Sequence, residues 1–153
     1  MRRTGEAEEQ IQRTLALDRN YAHGYMMLGM VRLQAGDPRA AIASMRRATE
    51  LGDFYPHVSG ILGSAYAASG DRAAALDVLA DLTKRSKNEY IPAFAFAVIY
   101  ASLGDTEQGL KSLQRGIAER DVFLAENFFD PLLGPLRKEP EFAKIERAMG
   151  LRR

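Results

Sequence analysis

The chain has 153 residues, 46% of them hydrophobic and 27% charged, which is the composition of one globular domain and not of a disordered polymer. Twenty-one basic side chains against 20 acidic ones leave a net charge of +1, which argues against a dedicated nucleic-acid binder, whose affinity rests on many basic phosphate contacts. The absence of cysteine excludes disulfide scaffolds, thiolate zinc sites and a cysteine nucleophile. No apolar run approaches the roughly 18 residues of a membrane span. The stretch Thr4–Gln12 after Met1-Arg2-Arg3 is polar and acidic, unlike the apolar core of a signal peptide. A soluble cytoplasmic protein without a membrane or direct nucleic-acid partner is expected.

In chain order, Glu8–Asp18 reads as a helix, with Ile11, Thr14, Leu15 and Leu17 at apolar or small places. Further on, Tyr25, Leu28, Gly29 and Arg32 share one helical face that ends at Gly36, a position suited to left-handed backbone. Asp37 then caps a second helix, with Pro38 at its first position, where a missing N–H costs nothing. Ala41, Ile42, Met45 and Ala48 form its apolar stripe, and the small Gly29 and Ala41 let the two helices approach closely.

This hairpin recurs every 34 residues. Leu28-Gly29 returns as Leu62-Gly63, and Gly36-Asp37 as Gly70-Asp71 and Gly104-Asp105. Ala41-Ile42 becomes Ala75-Leu76 and Gly109-Leu110; Met45 becomes Leu79 and Leu113; Ala48 becomes Leu82 and Gly116. Downstream, Glu126–Pro140 contains Pro131, Pro135 and Pro140 and cannot be one helix. Its Phe128, Phe129, Leu132, Leu133 and Leu136 are expected to fold over the end of the third hairpin. A last helix is bracketed by Pro140 and Gly150, with Phe142, Ile145, Ala148 and Met149 inward.

The period and the Leu-Gly, Gly-Asp and small-residue places resemble the tetratricopeptide repeat family. The resemblance implies repeats at 22–55, 56–89 and 90–123, an N-terminal helix at 1–19 that is the second half of an incomplete hairpin, and a C-terminal cap at 124–153. The fold it implies is an all-α, right-handed α-solenoid in a single domain. The chain departs from the family pattern at Tyr25, Ser59 and Ala93 in place of Trp, and at Arg32 in place of Tyr. It also has Asp53, Lys87 and Asp121 in place of the closing Pro, and Phe96-Ala97 in place of Leu-Gly. The run FFDPLLGPLRKEPEFAKIERAMGL resembles the terminal segment of bacterial repeat-containing regulators, in which an upstream winged-helix, kinase or cyclase domain precedes the repeats.

The first helix of each repeat in such a solenoid lines the concave face. The outward places in the three repeats are His23, Met26, Met27, Met30 and Leu33; then His57, Gly60, Ile61, Ser64 and Ala67; then Ile91, Phe94, Ala95, Val98 and Ala101. An apolar, methionine-rich groove of this kind fits a peptide or a helix from a protein partner. Two other readings stand beside it: a groove filled by the chain itself or by a second copy in a homodimer, and a small-ligand sensor. Met26, Met30, Gly60 and Phe94 cannot hold the terminal carboxylate that one subclass of the family clamps, so chaperone tails are not expected partners.

The two histidines, His23 and His57, sit one repeat apart without cysteine, and no metal site is expected of them. Glu6, Glu8 and Glu9 read as a solvated charged face, and Arg46-Arg47, Lys84-Arg85 and Arg152-Arg153 as separate basic clusters. With no glycine-rich phosphate loop and no nucleophile elbow, no cofactor and no catalysis are expected.

Overall fold

The computed structural model describes residues 2–52 and 56–151, with side chains from Thr4 onward; expectations placed on Asp53, Tyr55 and Arg152-Arg153 lie outside these residues. The described chain is all-helical: α1 (Arg2–Leu17), α2 (Ala22–Gln34), α3 (Pro38–Leu51), α4 (Pro56–Ala68), α5 (Arg72–Arg85), α6 (Ala93–Leu103), α7 (Thr106–Ala118), α8 (Val122–Asn127) and α9 (Phe142–Ala148). Two short 3₁₀ turns, Pro131–Leu133 and Leu136–Lys138, lie between α8 and α9. Helices pack against their neighbours in sequence, which makes the fold a helical-repeat solenoid.

The recurring glycine–aspartate pair builds all three hairpins in the same way. Gly36, Gly70 and Gly104 have φ of 84°, 88° and 78°, in the left-handed region where a Cβ is strained. The turn lets the next N–H reach back five residues: Asp37 to the Arg32 carbonyl at 2.9 Å, Asp71 to Tyr66 at 3.0 Å and Asp105 to Tyr100 at 3.0 Å. Each aspartate carboxylate then accepts from the N–H three residues ahead, of Ala40 at 3.0 Å, Ala74 at 3.0 Å and Gln108 at 3.1 Å. One residue thus closes one helix and opens the next.

Within the first hairpin the helices meet closely: a Cβ on Gly29 would lie 2.8 Å from Met45 and 3.2 Å from the Ala41 carbonyl oxygen. Between hairpins the tightest approach is α4 on α6, where a Cβ on Gly60 would fall 2.6 Å from the Ala95 Cα. Helix α6 lies in the middle of the molecule, with Ala93–Ile99 buried without a break. Its sequence, AFAFAVIYASL, offers water no charged face.

At the N-terminal end, Ile11 and Leu15 of α1 pack on Leu28 of α2. Arg32 ties three helices together, its guanidinium donating to Glu8 of α1 at 2.9 Å and to Ser44 of α3 at 2.8 Å. Thr14 and Leu17 differ from expectation: both are exposed, Leu17 at 91%, because α1 packs chiefly on α2 and buries a single stripe.

At the other end, the proline-rich segment folds back as a cap. Phe128, Leu133 and Leu136 are fully buried, Leu136 lies over Gly109 of α7, and Phe128 stacks on Phe142 with centroids 5.0 Å apart. The Arg137 guanidinium holds the fold-back by donating to the carbonyls of Phe128 and Asp130, both at 2.9 Å. Phe129 is 65% exposed and does not join the cap. Helix α9 starts at Phe142 and not at Pro140, since the Phe142 N–H still bonds the Glu139 carbonyl in a turn. Phe142 and Ile145 are buried and Met149 half-buried, but Ala148 faces water because α9 presents only one stripe to α7.

A fourth junction joins α7 to α8 without glycine. Arg120 takes the left-handed place with φ 57°, and the Asp121 N–H reaches back to the Gly116 carbonyl at 2.8 Å. Arg120→Gly should therefore raise stability by about 1 kcal/mol, the cost of a side chain in that region. Gly70→Val should lower it by about 1–3 kcal/mol for the converse reason. Thermal denaturation of the two variants side by side checks both signs; equal shifts in one direction would contradict the shared geometry.

Candidate functional site

The ten residues placed at the groove by sequence divide sharply in the structure. On α2, His23 is exposed, Met27 is 43% exposed, and Met30 and Leu33 are half-buried, while Met26 is buried. On α4, His57 is half-buried, but Ile61 and Ser64 are buried. On α6, Phe94 and Val98 are fully buried. The accessible part of the expected groove therefore lies along α2 and the start of α4, and the α6 part is interior.

The physical reason is the C-terminal segment, which packs on α6 through α8 and through Pro131–Leu133. Phe123, in α8, stacks on His57 with ring centroids 4.4 Å apart and meets Phe94 edge-on at 5.5 Å. Close packing of α4 on α6 contributes too: Ser64 and Ser102 share a 2.6 Å hydroxyl contact across the two helices. By contrast α2 packs on α1 and α3 and only lightly on α4, which leaves Met27 exposed and Met30 and Leu33 half-buried beside the buried Met26.

Asp121 anchors this arrangement. Its carboxylate, itself buried, accepts from the Tyr90 hydroxyl at 2.6 Å, the Ala93 N–H at 2.7 Å and the Leu124 N–H at 2.9 Å. One side chain thereby caps α8, the first turn of α6 and the hydroxyl of Tyr90. Neither Asp121 nor Tyr90 nor Phe123 was among the residues expected at the site. The available signal was Asp121 standing where the family closes its repeat with proline, followed by the apolar Val122-Phe123-Leu124.

Among the described residues, no group of three or more His, Cys, Asp or Glu side chains is gathered as for a metal. No helix among them is long and apolar enough to cross a membrane. The comparison with known proteins adds one finding: residues 22–51, which span α2 and α3, match the family model described as tetratricopeptide repeat. The matched hairpin has the same junction geometry as the two that follow it. The α2–α3 hairpin is thus similar to a tetratricopeptide repeat, and the helical hairpins that follow repeat its junction. No curated protein and no solved structure matches it. Tetratricopeptide repeats generally mediate protein–protein interaction and are typically non-catalytic.

Two predictions follow the geometry of this repeat protein. Asp121→Ala leaves three donors without their acceptor, two of them backbone N–H groups at buried positions. It should cost about 3 kcal/mol or more in chemical denaturation, and an unchanged midpoint would mean the anchor is dispensable. His57 is held below its ordinary pKa first by burial and then by the charge of His23. Folding thus favours neutral His57, and this contribution is present above about pH 6.5 and lost as pH falls through the lower folded value. His57→Gln should flatten the acid side of the melting-temperature profile between pH 7 and about 5.

Proposed function

We propose that this chain is a non-catalytic protein-interaction module that takes a peptide or helix against the first helices of its repeats, within a bacterial multidomain regulator. The observation that carries the reading is the accessible row on α2: His23, Met27, Met30 and Leu33, continued by His57 on α4. Apolar but solvent-reached side chains at helical spacing suit an amphipathic helix laid across them, and methionines adapt to its shape. Buried Met26, Ile61, Ser64, Phe94 and Val98 then serve as the rigid support behind this face. The regulator context rests on the likeness of FFDPLLGPLRKEP to the terminal segments of such proteins.

A second reading has its own observation. Phe123 already occupies the face between His57 and Phe94, as expected of a structural module whose groove is partly self-occupied. The two readings are compatible if the chain fills the third repeat's share and leaves the first repeat's share to a partner. Peptides selected from a displayed random library should map by amide shifts onto α2 and the start of α4. Met27→Glu should weaken them by about tenfold or more, since a carboxylate resists desolvation against an apolar ligand. The melting temperature should stay unchanged. Shifts confined to other helices, or a dimer by light scattering that buries α2, would replace the partner reading with the structural one.

A further inference from the structure

A cavity of about 380 Å³ lies where α4 and α6 begin, lined among the described residues by Pro56, His57, Tyr90, Pro92 and Phe123. Its walls are three aromatic rings and two pyrrolidine rings, and its volume is in the range of small-molecule sites. The rings are held from behind: Phe123 by its stack on His57 and its edge contact with Phe94, Tyr90 by the bond from its hydroxyl to Asp121. Every described hydrogen bond to the buried Asp121 carboxylate comes from a neutral donor, so these bonds place no counter-charge beside it.

The Tyr90 wall is backed by a buried carboxylate: the Tyr90 hydroxyl donates to Asp121 at 2.6 Å, while the neighbouring Glu119 lies 3.9 Å from Arg115. His57 is disfavoured as a cation by burial and by His23, so at neutral pH it presents an uncharged ring. Ring faces attract cations, and a phenol donating to a carboxylate has a more electron-rich ring. A metal ion gains nothing here, because aromatic and pyrrolidine walls offer no oxygen ligands to replace its water. A cation that carries its own apolar coat does gain.

We propose that this cavity is a binding site for a small organic ammonium ion, a quaternary or tertiary amine whose alkyl groups fill the ring-walled space beside Tyr90 and Phe123. The methyl groups meet the ring walls, and the spread positive charge lies on the side of Asp121, behind Tyr90. The site shares His57 with the proposed peptide face but uses no residue of α2.

The test compares choline with 3,3-dimethylbutan-1-ol, its uncharged isostere, by NMR titration of the full chain at pH 7.5. Choline should shift the resonances of His57, Tyr90 and Phe123 and bind about tenfold tighter than the isostere, the difference expected of a partly desolvated cation–π contact. Tyr90→Leu should abolish choline binding while melting no lower than Tyr90→Phe, which loses the same hydrogen bond to Asp121. Tyr90→Phe keeps the ring while releasing Asp121 and should bind choline more weakly than the native chain. Equal affinity for the two ligands would reduce the cavity to an apolar pocket and overturn the proposal. Choline shifts absent from these three residues at saturation would overturn it as well.

Discussion

The hydrogen bond that the rest of the structure depends on is the one from an aspartate N–H back across a left-handed residue to the carbonyl five places earlier. It fixes the angle at which one helix hands over to the next, and the same aspartate's carboxylate starts the following helix. Repeated at Asp37, Asp71 and Asp105, it makes three equivalent hairpins, and at Asp121 it adds a fourth turn that begins the cap. Because the junction is local, each hairpin forms without long-range instruction. What remains for tertiary packing is only how closely successive hairpins stack.

That stacking is uneven, and the side chains explain the unevenness. Gly60 against the Ala95 backbone and Gly63 against Ile99 let α4 and α6 approach closely, so the second and third repeats share a tight seam. In the first repeat α2 places Met26 and Met30 against the main core and packs closely on α3 but only lightly on α4, with Met27 exposed. The Arg32 guanidinium compensates at the outer edge by drawing α1, α2 and α3 together through Glu8 and Ser44.

Much of this was legible in the sequence, because the hairpin is encoded by residue types with only one physical use. Glycine before aspartate at a 34-residue interval announces a left-handed turn and a cap, and the structure places both where the spacing puts them. Exposure was less legible. Register gives the direction in which Phe94 and Val98 point but not what lies in that direction, and the cap that covers them comes from 30 residues downstream. A clue was present all the same, since AFAFAVIYASL has no charged place to turn towards water. Leu17 shows the opposite error: an apolar side chain in a helical register is not buried when no neighbouring element arrives. Arg120 hid the fourth junction, because its left-handed backbone stands where glycine would have signalled it.

The cap and the binding face compete for the same surface. A solenoid must bury the apolar side of its last repeat, and here Phe123, Phe128, Leu133 and Leu136 do so by packing around α6 and α7. Covering the last repeat spends the share of the first-helix face that belongs to it. The face left over is displaced towards the N-terminal hairpin, whose α2 packs closely on α3 but only lightly on α4. A partner that docks there would order a hairpin whose own inter-repeat contacts are few, so its binding energy would be coupled to the first repeat's stability and not to the core's. The proposed partner face and the packed cap thus lie at opposite ends of one short solenoid, with the glycine–aspartate junctions between them.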